Sequence, residues 1–323
     1  MQHLFFSISP NTAAEKALRI HYMEEKPENA KGLIIFLHGF SQFWYVWKPY
    51  LAHFSQKGFH VVAPDMRGFN DSDKPDAKAS YDMKYLMSDV LELIRHCGYD
   101  KAIVAGHDWG GSVVWELAEH HPEKIEAAIV VNSPHRGAYA ANIRKNPLLN
   151  LRQALRSWYI YFFQLPYLPE WVMRCCDFAW LEHNFRAWAR REDAFSDEDI
   201  ERYKEALRKP GALTSTINYY RANTFGEFGM GVVRASLGKK KFGKIPVPSL
   251  LIWGDQDPPL DRHLTDDMDE FFTATFKSVH ISDASHWVLQ EHFDRVCKEM
   301  ERFIDGGKNS LATKSPTNQW SQA

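Results

Sequence analysis

An excess of charge of either sign is missing from this chain of 323 residues, in which 39 Lys and Arg face 41 Asp and Glu for a formal net charge of −2. That balance excludes a bulk attraction to nucleic acid or to acidic membranes. The one basic run, Lys239-Lys240-Lys241, is too short for a phosphate-tracking groove and reads as a solvated loop. Cysteine is scarce. Cys97, Cys175, Cys176 and Cys297 show no CxxC pair, the vicinal two are poorly placed to bridge each other, and a chain this long needs no staples. All four are expected to be reduced and mostly buried, as in a cytosol. Long apolar runs are absent too: none approaches the roughly 18–20 residues that span a bilayer. The first ten residues, MQHLFFSISP, lack the basic n-region and apolar h-region of a signal peptide. No HExxH occurs, and His120-His121 reads as a pair at a helix C-terminus favoured by the dipole, so no metal and no cofactor are expected. These absences leave a soluble, cytoplasmic protein with no nucleic-acid partner and no membrane span. A homodimer stays open, and no internal repeat is present.

What is there is ordinary for a globular chain, 45% hydrophobic and 25% charged. The segment ALRIHYME (17–24) alternates like a two-faced strand. GLIIFLHG (32–39), HVVAPD (60–65), KAIVAGHD (101–108), AAIVVNSP (127–134) and SLLIWGD (249–255) are short continuous apolar runs, as in strands buried on both faces. Helical patterns lie between them. One of these places Leu86, Val90, Leu93, Ile94 and Cys97 at three- and four-residue steps and stops at Gly98. Alternating strands and helices predict an α/β class with a mostly parallel sheet. The alternation fails between about 136 and 244, where aromatics and helical patterns dominate and Ser196 with Asp199 makes an N-terminal cap. The expected organisation is therefore an α/β core in two parts, 1–135 and 245–305, and a helical cap inserted over 136–244. A polar tail, 306–323, is expected to lack packed structure.

The chemistry centres on GHDWGG, residues 106–111. A strand feeding a helix through small residues makes a sharp turn and exposes its apex at the carboxyl end of the sheet. This is the nucleophile elbow G-x-S-x-G, here with Asp108 in the serine's place. Acid and histidine follow in the right order, in WGDQDPPL (253–260) and ASHWVLQ (284–290), each in a loop after a strand. The carboxylate carries information. A serine attacking a saturated carbon would form an ether, which is a dead end, whereas a carboxylate forms an ester that water can cleave. An Asp nucleophile thus implies displacement at an sp³ carbon, either opening an epoxide or expelling a halide. An ordinary serine esterase is disfavoured for the same reason.

From IHYME to Asp305 the chain resembles the α/β-hydrolase-fold epoxide hydrolases. The resemblance rests on FLHGFSQFWYVW, VVAPDMRGFNDSDKP, GHDWGG, VVNSPH, PGALTSTINYYRAN, IWGDQD and SHW. It implies hydrolysis of a small apolar or aromatic epoxide to a vicinal diol. Asp108 would be the nucleophile, and His286 the base that activates water, oriented by Asp257 with Asp255 as a rival. The backbone N–H groups of Phe40 and Trp109 would form the oxyanion hole. The family's two cap tyrosines, which protonate the opening oxygen, map onto Tyr220 in NYYRAN and onto Tyr159 in SWYIYFFQLP, with Tyr161 and Tyr219 as rivals. Phe40, Trp109 and Trp287 would also contact substrate, and Trp158, Phe162, Phe163, Trp171 and Trp180 are further aromatics for an apolar pocket or for the core. The family's first loop usually reads H-G-x-P. Here it is His38-Gly39-Phe40-Ser41, which puts the aim of the Phe40 donor in question.

Plainer readings compete. Asp108 alone would more often cap the following helix, Asp257 before two prolines is a natural turn residue, and cap tyrosines usually pack. Haloalkane dehalogenases share Asp-Trp at the elbow, where the indole holds the halide, but Phe40 stands where many of them carry an asparagine. Fluoroacetate-type dehalogenases place an Arg where Trp109 stands. A catalytically silent binding protein is the remaining alternative.

Overall fold

The computed structural model describes residues 1–9, 17–145 and 147–312. Eight strands form one sheet: β1 (Gln2–Ile8), β2 (Leu18–Glu25), β3 (Leu33–Leu37), β4 (His60–Pro64), β5 (Ala102–His107), β6 (Ile125–Val131), β7 (Ser249–Gly254) and β8 (Phe276–Ile281). Their order is β1-β2-β4-β3-β5-β6-β7-β8. The pairs β1/β2 and β2/β4 are antiparallel, and every other pair is parallel. The helices are α1 (Lys48–Gln56), α2 (Met83–His96), α3 (Trp109–His120), α4 (Arg136–Lys145), α5 (Pro147–Arg156), α6 (Trp158–Phe162), α7 (Leu168–Trp188), α8 (Asp197–Arg208), α9 (Ala212–Asn223), α10 (Glu227–Ser236), α11 (Val288–Glu291) and α12 (Phe293–Ala312). Among the described residues none is long and apolar enough to cross a membrane.

The central strands are continuously apolar because both faces are covered. Along β3, Leu33, Ile35 and Leu37 pack with Leu86, Val90 and Val113 of α2 and α3, while Ile34 and Phe36 pack with Leu51, Phe54 and Met300 of α1 and α12. Periodicity finds these strands but misses β1 and β8. Both lie at the edges of the sheet and are half exposed, so neither carries a continuous apolar run.

The helices α4 to α10 lie between β6 and β7 in the chain. Ser196 caps α8 reciprocally with Asp199, as its spacing predicts. Helix α7 is broken: Cys175 is extended, and Cys176, Asp177 and Phe178 are left-handed, with φ of 50°, 54° and 58°. That conformation costs roughly 1–2 kcal/mol per non-glycine residue. Burial of the Phe178 ring and ion pairs from Asp177 to Lys204 (3.4 Å) and Arg208 (2.6 Å) offset it.

Two expectations need correction. The expected polar tail does not begin at 306 in backbone terms, because the helix α12 continues to Ala312; residues 313–323 of that tail lie outside the described residues. The four cysteines are free, but only Cys297 is buried. Cys97, just beyond α2, and Cys175, in the α7 break, are half-buried, and Cys176 is exposed because the break turns it outward.

Candidate active site

Strand β5 ends at His107 and α3 begins at Trp109, leaving Asp108 alone to make the turn at φ 52°, ψ −116°. Such a conformation costs a non-glycine residue about 1–3 kcal/mol and persists only where its surroundings enforce it. Here they do so by close approach. A Cβ on Gly106 would lie 2.4 Å from the Gly110 carbonyl, and one on Gly110 would lie 2.3 Å from the Leu37 oxygen. The elbow is too tight for any side chain at either position. No side-chain cap bond joins Asp108 to α3, so the carboxylate is turned elsewhere.

One of its oxygens, Oδ1, accepts from the Phe40 N–H at 2.7 Å, and the Trp109 N–H lies beside the carboxylate. Phe40 is aimed without the family's proline. Ser41 takes φ 62°, a dihedral that a proline ring, fixed near −65°, could not adopt. The other oxygen, Oδ2, stands 3.8 Å from His286 Nε2, beyond a direct hydrogen bond. On the far side of the ring, Nδ1–H donates to Asp257 Oδ2 at 2.6 Å. Asp255 is not there: its carboxylate is held by His280 (2.6 Å) and Arg262 (3.2 Å).

Burial raises the pKa of Asp108, opposed by His286 and then by the Phe40 and Trp109 N–H groups. For His286, burial works against the charged form, but the charge and hydrogen bond of Asp257, and then Asp108, outweigh it and raise the imidazole above its ordinary value.

Facing this array across a small cavity are Tyr159 of α6 and Tyr220 of α9, with Phe40, Trp180, Asn184, Trp188 and Trp287 completing much of the wall. The rings of the two tyrosines meet edge to face at 5.7 Å. Burial drives both phenols far above their ordinary pKa; the Asp108 charge adds to this in each, so both keep their protons. The rivals point away. Tyr219 is fully buried and donates to the Arg67 oxygen at 2.8 Å, while Tyr161 is 61% exposed. The Trp109 indole packs edge to face on the Tyr220 ring at 5.1 Å. Trp287 reaches the cavity from a stack on Phe185 and Trp188. Of the remaining aromatics, Trp180 lines the cavity, Phe163 is core, Phe162 packs against that core, and Trp158 and Trp171 are largely exposed.

Residues 32–293 match the α/β hydrolase fold family. Human Epoxide hydrolase 4 is 33% identical over 90% of this chain and 76% of its own, and Caenorhabditis elegans Epoxide hydrolase 1 is 35% identical over 90% and 69%. The chain belongs to the α/β-hydrolase-fold epoxide hydrolases. Among solved structures, the Bacillus megaterium epoxide hydrolase in complex with an inhibitor is similar at a TM-score of 0.78 and 26% identity, covering 93% of this chain and 100% of that one.

For a chain of this family the supports behind the site matter as much as the site, and sequence reading missed them. Asn132, at φ 43° just after β6, donates to Asp257 Oδ2 at 2.6 Å while its own Oδ1 accepts from the Gly254 N–H at 3.0 Å. The signal was available: asparagine tolerates positive φ, and VVNSP sets it at the carboxyl end of a central strand. His107, kept neutral by burial, donates from Nε2 to the His286 carbonyl at 2.9 Å and meets Gln42 at 3.0 Å. Glu291 is buried and accepts from the N–H of Ser285 (2.7 Å) and of Arg190 (2.6 Å), fixing the turn before His286. Groupings that could hold a metal ion among the described residues are Glu24–His60–Cys97 and His21–Asp65–Asp71, and neither includes a residue of the Asp108 cavity.

Proposed function

We propose that this chain converts an epoxide and water to a vicinal diol through an alkyl ester on Asp108. In this reading the helices of 136–244 form a cap over a core built from 1–135 and 245–305. Asp108 Oδ2, the oxygen not held by Phe40, attacks one epoxide carbon and the C–O bond breaks. The released alkoxide takes a proton from the Tyr159–Tyr220 pair. His286 Nε2 then removes a proton from water, which adds to the ester carbonyl carbon while Asp257 holds the imidazolium. Negative charge collects on the carbonyl oxygen beside the Phe40 and Trp109 N–H groups, a stabilisation worth roughly 3–4 kcal/mol per donor. Collapse expels the second alkoxide, which takes the proton from the His286 imidazolium to complete the diol. The carboxyl group left on Asp108 returns its remaining proton to the tyrosinate, restoring carboxylate and phenol.

The observation that carries this reading is the pair of buried, protonated tyrosine hydroxyls opposite a carboxylate at a strained elbow. Halide loss needs no proton donor, and the Trp109 indole packs on Tyr220 and is not part of the wall around Asp108. The apolar, aromatic wall supports apolar or aromatic epoxides as substrates. The test is a single turnover of styrene oxide by His286→Gln in ¹⁸O-labelled water, with the Asp108 peptide analysed by mass spectrometry. The alkyl ester is expected to accumulate on Asp108. A parent enzyme that forms diol while the variant carries no adduct would reject the mechanism, and halide release from a bromoalkane at a comparable rate would favour dehalogenation.

A further inference from the structure

Over residues 151–158, from α5 into the start of α6, the helical run is turned inside out. Gln153 and Ser157 are buried, at 1% and 6% exposure, while Leu151, Leu155 and Trp158 stand 62%, 67% and 53% exposed. The inward polar groups are well used. Gln153 Nε2 donates to Pro259 O (2.8 Å) and to Ser157 Oγ (2.9 Å), and its Oε1 accepts from the Asp261 N–H (2.9 Å). They hold the loop that follows Asp257, and the apolar residues at i, i+4 and i+7 are left as one outer stripe. It continues through Tyr161 to Leu165, Tyr167, Leu168 and Trp171. Of the thirteen large apolar side chains exposed on the described residues, eight fall within 151–171. Scattered surface apolars need no explanation, but a concentration of this kind marks a partner.

The charges say which partner. Within 150–176 the cations are Arg152, Arg156 and Arg174, and the one acid, Glu170, is tied to Arg221 at 2.6 Å. Arg152 and Arg156 share the single carboxylate of Asp261, at 3.5 and 3.1 Å. Guanidinium groups therefore rim a face of Leu, Trp and Tyr. A second copy docking by a two-fold axis would bring this cationic face against itself. An anionic lipid surface meets it on both counts: indole and phenol rings settle at the headgroup level, and Arg reaches the phosphates. The face is also a rim. Arg152, Leu155 and Trp158 line a mouth whose inner wall, Tyr159, Trp180 and Trp188, is shared with the Asp108 cavity.

We propose that this face of α5, α6 and the start of α7 docks on the surface of anionic lipid bilayers, and that apolar substrate enters from the lipid through that mouth. The second clause rests on the reaction proposed above, and the docking does not. The whole chain, at a formal charge of −2, supplies no attraction of its own, so binding depends on this one face and weakens with salt.

Flotation of the full chain with vesicles of phosphatidylcholine, alone or mixed with phosphatidylglycerol, tests the docking without any turnover. The protein is expected to float with the mixed vesicles and to be released as salt rises. Leu151→Gln/Tyr167→Gln/Trp171→Gln, whose fold is checked by circular dichroism, should lose partition by about tenfold or more and keep its rate on dissolved styrene oxide. Arg152→Gln should lose about fivefold, on anionic vesicles only. Failure of the parent to float, or equal flotation by the triple variant, overturns the proposal. So does sedimentation that shows a dimer dissolved by the same triple variant in a protein that binds no vesicle. A protein that floats but opens no epoxide overturns the reaction alone. Passage from the lipid predicts that the triple variant slows hydrolysis of a long-chain epoxide held in vesicles, and an unchanged rate there rejects that clause.

Discussion

Asp108 and Tyr159 face each other across one cavity, yet different forces hold them. The carboxylate sits on backbone: an elbow compressed until no side chain fits at Gly106 or Gly110, and main-chain N–H groups from two loops. His286 and Asp257 are fixed by hydrogen bonds of the Asn132, His107 and Glu291 side chains and of the Leu260 N–H. The tyrosines rest on rings. Tyr220 leans on Phe40, Trp109 and Phe163 at 5.0–5.2 Å, and Tyr159 on Phe163 and Tyr220. Hydrogen bonds and steric exclusion specify position sharply, while ring packing tolerates substitution and adjusts. The attacking half of the site is therefore rigid, and the half that meets the substrate's oxygen is adaptable.

This contrast can be broken at graded cost. Asp108→Ala should lower kcat/KM by about 10⁴-fold or more, since no neighbour can replace the attacking oxygen; residual activity above that in a steady-state assay would mean a different nucleophile. Tyr159→Phe with Tyr220→Phe should cost roughly 10²–10³-fold in the alkylation rate, with each single change milder because both phenols face the cavity and either can donate. Stopped-flow tryptophan fluorescence would follow that step, and equal losses in both singles and the double would show that the pair acts as one donor. Asn132→Ala should slow ester hydrolysis by about tenfold, equivalent to about 1.4 kcal/mol, and spare alkylation, because it loosens Asp257 alone. Rapid-quench analysis separates the two steps.

The smallest effect is a displacement along the pH axis. His286 acts as a base only when neutral, and its pKa is raised in the fold. The acid limb of kcat should thus lie above the ordinary imidazole value of about 6.5. Stability from this group runs the other way: it is complete below the unfolded value and lost as pH rises through the higher folded one. An acid limb at or below about 6.5, in a profile where hydrolysis limits the rate, would mean that the carboxylates around His286 do not outweigh its burial once Asp108 is esterified.

The rigid half was the legible half. Interior strands announce themselves by continuous apolar runs, and the elbow by glycines that admit no substitute, so Asp108 and His286 could be named from their order and spacing, and Phe40 from the family resemblance. Asp255 and Asp257 could not be separated, because two residues in one turn differ only in which way the loop after β7 sends them. The same held for Tyr159 and Tyr161, which a helical step of two turns toward different surroundings. Asn132 escaped notice because its work is to orient a carboxylate distant in sequence. Helix α5 was harder still, since its apolar stripe implies burial and its outer face defies that rule.

The break in α7 lets one stretch of chain serve two solvents. Unbroken, its 21 residues would form a rod of roughly 30 Å with a single register, and any roll of one end would roll the other. Three left-handed residues decouple the ends. Leu168 and Trp171 belong to the outer face, and Trp180, Asn184 and Trp188, at successive four-residue steps, line the cavity. The bore of the cavity is thereby set by backbone dihedrals at Cys176, Asp177 and Phe178, so selectivity for substrate width can be tuned from positions that no substrate touches.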